Sequence, residues 1–221
     1  MRILQTLPQD PWNPGAEKGP STFDTTHSFT LSVIEFLPLE RVGFLRPLGK
    51  TVTAGWQVLN ITTLSSGSPF TVFSGIQQTA VGAGGTDRPD LIEKPNFSTS
   101  RSNRADYFGR GANNASFFSI PINIPGGTGP NQGRFGTLGR DTFRSPGFRD
   151  FDIAMIKNTS FGHRSGGGEL GAIQFRAEFF NIFNEANFGL PSNIVRGSGF
   201  GLISKTAGPS RQIQFSLKFI Y

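Results

Sequence analysis

The sequence predicts an all-β, antiparallel fold of about five long strands, each with one apolar and one wet face. Three observations predict it. In the closing stretch RQIQFSLKFIY (211–221), Ile213, Phe215, Leu217, Phe219 and Tyr221 fall on one side, and Gln212, Gln214, Ser216 and Lys218 on the other. Strand side chains alternate between faces, so this two-residue period reads as a half-wet strand. The 29 Gly and 15 Pro among 221 residues exceed the usual ~12% and suit many turns and long loops. No apolar run reaches the ~18 residues of a membrane helix.

Residues 1–25 are rich in Pro, Gly and polar side chains and read as loop. THSFTLSVIEFL (26–37) places Phe29, Leu31 and Val33 opposite Ser28, Thr30 and Ser32, and Pro38 ends it. Residues 38–50 form a connection broken by Pro38, Pro47 and Gly49. TVTAGWQVLNITTLS (51–65) is β-branched and strand-like, with a short continuation at 70–73. Residues 75–147 then run without sustained periodicity, a length that counts against a compact soluble domain; a helical turn is expected at 103–108. FRDFDIAMIKNTSF (148–161) and GAIQFRAEFFNIFN (171–184) alternate again across a glycine-rich turn, and 185–210 is a loop with a short strand near 200–204.

The terminal stretch has the roughly 9–11 residues that a tilted strand needs to cross a bilayer. On the strands Asp152, Arg176, Glu178 and Lys218 lie opposite the apolar stripe, whereas Glu35 and Lys157 break the rule and are expected toward strand ends. A Lys or Arg facing mid-bilayer costs about 2–4 kcal/mol, so the placement fits a lipid-facing stripe. Long loops on one side and short turns on the other also fit a membrane sheet.

Charge and composition narrow the chemistry. The net charge of +6 comes from 15 Arg and 6 Lys in no dense run, so nucleic acid is not expected as a partner. With no Cys, there is no disulfide, thiolate metal site or cysteine nucleophile. MRILQTLPQDPWNPG lacks the apolar core of a signal peptide.

Six segments in order resemble the C-terminal end of a TonB-dependent receptor of the Oar-like outer-membrane group: FDTTHSFTLS (23–32), GWQVLNITTLSSGSPFTV (55–72), TDRPDL (86–91), GRFGTLGRDTFRSPGFRDFDIAMIKNTSF (133–161), FRAEFFNIFNEANFGLP (175–191) and RQIQFSLKFIY (211–221). The resemblance implies a large barrel of about 22 strands, plugged by an N-terminal domain and energised through TonB. It implies that 75–147 and 185–210 are extracellular, that 38–50 and 162–170 are periplasmic turns, and that Tyr221 ends a signal read by the barrel-assembly machinery. The TonB box, the plug domain and most strands have no counterpart here, and Met1 falls inside an expected extracellular loop. Five strands are too few for even the smallest barrel, which needs about eight. The chain is therefore expected to be the C-terminal portion of an outer-membrane transporter, inactive alone, contacting outer-membrane lipid and reaching TonB only through the absent plug. The alternative from another class is a secreted β-sandwich carbohydrate-binding or adhesion module, which needs a second sheet over the apolar stripes.

Candidate sites are few. His27 and His163 lack metal-ligand spacing, and no cofactor is expected. Asp150 and Asp152 share a face, but no acid–base partner or nucleophile stands nearby in sequence, and no enzymatic activity is expected. GGTGPNQGR (126–134) lacks the Gly-Lys-Ser/Thr ending of a phosphate loop. Four Asn-x-Ser/Thr triplets, at Asn60, Asn96, Asn114 and Asn158, read as chance. Seven arginines lie between Arg101 and Arg149; of these Arg134, Arg140 and Arg144 are candidates for lipopolysaccharide phosphates or an anionic substrate.

Overall fold

The computed structural model describes residues 8–77, 79, 87–97, 103–122, 133–163, 166 and 169–221. Nine strands are found among them: β1 (Ser28–Leu37), β2 (Trp56–Ser65), β3 (Pro69–Phe70), β4 (Asp90–Leu91), β5 (Phe118–Ser119), β6 (Phe143–Arg144), β7 (Phe148–His163), β8 (Glu169–Phe180) and β9 (Gln212–Ile220). The five long ones form one sheet in the order β1-β2-β7-β8-β9, the expected five. β3 pairs with β6, and β4 with β5, as two-residue ribbons.

Neighbours in the large sheet run antiparallel, with Ser28 opposite Ser65, Ile153 opposite Phe179 and Phe179 opposite Ile213. Asn158 N–H donates to the Gly55 carbonyl at 2.9 Å, and the Asn60 amide to the Asp152 carbonyl at 3.2 Å, so β2 and β7 run antiparallel as well. The sheet is open: β1 and β9 each have one neighbouring strand. By connectivity, one end of the sheet receives the chain before β1, between β2 and β7 and between β8 and β9. The other end, the turn end, carries residues 38–55 and 164–168 and the end of β9.

Three strand limits differ from expectation. Residues 51–55 are not strand: Lys50–Thr53 is one turn of α-helix (α1), and β2 begins at Trp56. Gly49 at φ 76° and Gly55 at φ 77° bracket that turn, a conformation that β-branched neighbours cannot supply. β8 stops at Phe180 because Asn181 takes φ 50°. Residues 200–204 are turn and irregular backbone, and Ile203 is buried at 3% exposure in an apolar cluster. The turn at 103–106 is present, closed by Asp106 N–H to the Asn103 carbonyl. A 3-10 helix at Gly111–Phe117 was not foreshadowed.

The chain divides into two compact units. The sheet unit holds residues 28–65, 149–186 and 209–221; the loop unit holds 1–27, 66–148 and 187–208. The described residues of the segment expected as a long loop at 75–147 therefore belong to a packed body. Its core gathers Phe70, Val72, Tyr107, Phe108, Phe117, Phe118, Leu138, Phe143, Val195 and Ile203, with Phe97, Phe188 and Phe200 against them. Phe108 stacks on Phe200 at 4.8 Å between centroids and meets Phe118 and Phe143 edge-on. Edge-to-face and offset contacts of this kind stabilise beyond the area they bury.

Candidate functional site

The antiparallel register of β7, β8 and β9 converts sequence alternation into two chemically distinct faces. On one lie Ile153, Met155 and Phe161, then Ile173, Phe175, Ala177 and Phe179, then Ile213, Phe215, Leu217 and Phe219. Phe175 and Phe215 stack across strands at 6.3 Å. Within the described structure the terminal strand is uncovered: Ile213, Phe215, Leu217 and Phe219 are 53, 65, 56 and 60% exposed, and Tyr221 is fully exposed. Exposed apolar side chains in a contiguous row mark a surface that meets something other than water.

The opposite face carries Asp152, Asn158, Gln174, Arg176, Glu178, Gln214, Ser216 and Lys218. On β7 and β8 several of these groups are paired. The Gln174 amide donates to Asn158 Oδ1 at 2.8 Å, Arg176 pairs with Glu178 at 3.2 Å, and Asp152 Oδ1 accepts from Asn181 N–H at 2.9 Å. Asp150 and Asp152 are thus members of a polar sheet face. Among the described residues no group of three His, Cys, Asp or Glu is arranged to hold a metal ion.

Lys157 sits on the apolar face opposite Phe175. It is not near a strand end, because β7 continues to His163. Its Nζ donates to the Ala54 carbonyl at 2.5 Å and the Asn158 carbonyl at 3.1 Å. The ammonium is thus turned onto backbone oxygens rather than presented from the stripe, which lowers the cost of its position.

In the loop unit, the three arginines singled out from the sequence each face an acid. Arg134 makes a two-pronged pair with Asp90, at 3.0 and 2.7 Å. That carboxylate also accepts from the Thr137 N–H and hydroxyl. The Arg134 hydrogen bond, with help from Thr137, holds Asp90 below the usual carboxylate range against the opposing effect of burial. Arg144 pairs with Asp24 and donates to the Gly67 carbonyl at 3.1 Å. Arg140 Nε lies 3.5 Å from the buried Asp141. The Arg134 and Arg144 guanidiniums cross-link segments of the unit, whereas Arg140 faces its own sequence neighbour. Their partners, Asp24, Asp90 and Asp141, carry no motif that would pair them in advance.

A fourth arginine was missed. Arg88 is 2% exposed and grips Glu17 through both terminal nitrogens at 2.9 Å. Its N–H donates to Gln9 Oε1 at 2.6 Å, and Gln9 donates onward to the Gly136 carbonyl. Burial pushes the Glu17 carboxyl up, but Arg88 and the Gln9 and Asp10 N–H groups outweigh it and leave it lowered. Residues 8–18, expected as free loop, are fastened to the unit by this network. The only advance signal was TDRPDL itself.

Tyr107 is 3% exposed, donates its hydroxyl to the Arg144 carbonyl, and has its pKa pushed up to about 12 by burial. Near it a cavity of about 380 Å³ is bordered by Ala105, Gly111, Asn114, Val195 and Leu202, with no charged side chain in its lining. His27 is exposed. The stretch 126–132 and the His163 side chain lie outside the described residues.

A family model described as an outer membrane beta barrel domain matches residues 3–214. No curated protein matches the chain, and no solved structure does.

Proposed function

Because the chain belongs to the outer membrane β-barrel domain family, we propose that its five-stranded sheet is wall of an energised, TonB-dependent transporter of the Oar-like group. The carrying observation is the face built by Ile213, Phe215, Leu217 and Phe219, uncovered and backed by the polar side chains of Gln214, Ser216 and Lys218. Hydrocarbon on one side and a wet lumen on the other is the environment in which both faces are content. A β-sandwich would require a second extended sheet, and the other pairings found are two residues long.

In this reading the chain has no catalytic chemistry. It supplies wall, the loop unit lies on the extracellular side, and β9 with Tyr221 is the stretch offered to the barrel-assembly machinery. Coupling to TonB would run through a plug supplied outside the segments described. Placing the full gene in its native host behind its own leader, the protein should fractionate with the outer membrane. Loss of the gene should reproduce part of the uptake deficit of a strain lacking TonB. Recovery in the soluble periplasm would refute the wall; normal uptake wherever the TonB-less strain fails would refute the energised transport.

A further inference from the structure

We propose that the connection between β1 and β2, residues 38–55, lies on the bilayer surface at the turn end and takes anionic phospholipid headgroups. The proposal rests on the wall reading above and goes beyond it. Eighteen residues join β1 to β2, whereas five join β7 to β8; hairpin loops of two to five residues are the usual solution. The extra length is ordered. Leu39–Arg41 and Gly43–Leu48 are 3-10 turns and α1 follows.

The connection is also pinned to the sheet. Thr53 is 3% exposed and donates to the Gly49 carbonyl, and the Trp56 indole donates to the Val52 carbonyl at 2.8 Å. The Ala54 and Gly55 carbonyls accept from the Lys157 ammonium and the Asn158 N–H.

Yet the segment turns three apolar side chains outward: Phe44, Leu48 and Val52 are 81, 57 and 52% exposed, while Leu39, Val42 and Leu45 are half-buried. Basic residues interleave with them, Arg41 ahead, Arg46 between Phe44 and Leu48, and Lys50 between Leu48 and Val52, with Glu40 the sole acid. All three cations are exposed, and among the described residues none enters an ion pair.

An ordered segment that exposes alternating apolar and basic side chains suits the boundary between acyl chains and headgroups. There Phe44, Leu48 and Val52 enter the acyl region while the long basic side chains reach back to phosphates. Continuity decides for a bilayer over another protein: the segment leads directly at Trp56 into the sheet whose apolar face meets lipid.

The test uses the protein expressed from the full gene, folded into phosphatidylcholine vesicles containing phosphatidylglycerol, as Phe44→Trp and Phe215→Trp, so that the open edges of the five-stranded sheet are paired. Emission is read as the increment over the parent, which carries Trp12 and Trp56. Phe44→Trp should be quenched several-fold more by lipid brominated near the headgroup than at the chain end, and more by brominated phosphatidylglycerol than by brominated phosphatidylcholine. That excess should vanish with Arg41→Gln, Arg46→Gln and Lys50→Gln together. Phe215→Trp should show the reverse depth profile. An unquenched Phe44→Trp beside a quenched Phe215→Trp overturns the inference and leaves the wall standing. Neither quenched overturns the wall reading and the inference with it. Equal quenching by the two lipids, unchanged in the triple variant, overturns the anionic preference.

Discussion

Replacing Phe215 by arginine asks directly what wets the apolar face. β9 has nine residues; at about 3.4 Å each they span about 31 Å, or about 23 Å along the normal at a tilt of about 40°. That matches the ~25 Å apolar band of an outer-membrane sheet, and Phe215, fourth of the nine, falls near its middle. A guanidinium there costs about 2–4 kcal/mol, and losing the phenyl transfer adds about 1.5–3 kcal/mol, a total near 5 kcal/mol. The control is Gln214→Arg, which turns to the other face opposite Glu178 and should stay within about 1 kcal/mol of the parent. If water wetted both faces, Phe215→Arg would also be mild, since changes at exposed sites usually stay within about 0.5 kcal/mol. Urea titrations of the protein from the full gene, bound in vesicles, read by tryptophan emission and extrapolated linearly, separate these cases. A Phe215→Arg midpoint indistinguishable from that of Gln214→Arg would refute the lipid-facing assignment.

Other outcomes follow from the loop unit. Phe108→Ala, removing a ring with no exposure amid Phe70, Phe97, Tyr107, Phe118, Phe143 and Phe200, should cost about 3–5 kcal/mol. The near-ultraviolet signal should collapse while amide absorption retains its strand character. A double-mutant cycle on Arg134→Gln and Asp90→Asn should give a coupling of about 1 kcal/mol, kept modest because the side chains are 37 and 21% exposed. Glu17 and Asp90 have carboxyls lowered by folding from 4.5 and 3.8, so their stabilisation is full above those values and is lost as pH falls below them. Near-ultraviolet dichroism should therefore weaken on acidification below about pH 4, less steeply in Asp90→Asn. In a Tyr221→Phe chain, the remaining phenol of Tyr107 should ionise only near pH 12, read by ultraviolet absorbance; titration at the ordinary value of 10 would contradict its burial.

The five long strands were legible because a strand wet on one side imposes a period of two along its length. Phe175–Phe179 and Ile213–Phe219 show it without knowledge of partners. Their boundaries were less legible where backbone conformation decides. Gly49 and Gly55 enclose a helical turn that β-branched Thr51, Val52 and Thr53 disguised as strand, and Asn181 ends β8 with a left-handed residue. The loop unit was illegible for another reason. Its core draws Phe70, Phe97, the pairs Tyr107–Phe108 and Phe117–Phe118, Phe143, Phe188 and Phe200 from stretches separated by polar and glycine-rich segments, so no local window repeats with a strand or helix period. The arginines were visible as residue types, but their carboxylate partners lie far away in sequence: Asp90 for Arg134, Asp24 for Arg144 and Glu17 for Arg88.

Phenylalanines of this chain stand in two different settings, and composition alone cannot distinguish them. Phe70 and Phe108 have no exposure and are enclosed by rings of the same unit, so their burial is complete within the protein. Phe215 and Phe219 have a neighbouring strand on one side and remain 65 and 60% exposed, so their burial must be completed by something outside these residues. Apolar transfer contributes about 25 cal/mol per Å² wherever the area goes, and within the protein the loop unit collects most of it, whereas in the sheet unit Ile156 and Ala177 are buried and the β9 stripe is not. On the proposed wall reading, transfer from bilayer to aqueous buffer should leave the aromatic core of the loop unit with its partners, while the sheet loses the medium of its apolar face and retains the edges of β1 and β9, each with one neighbouring strand among the described residues, open to other chains.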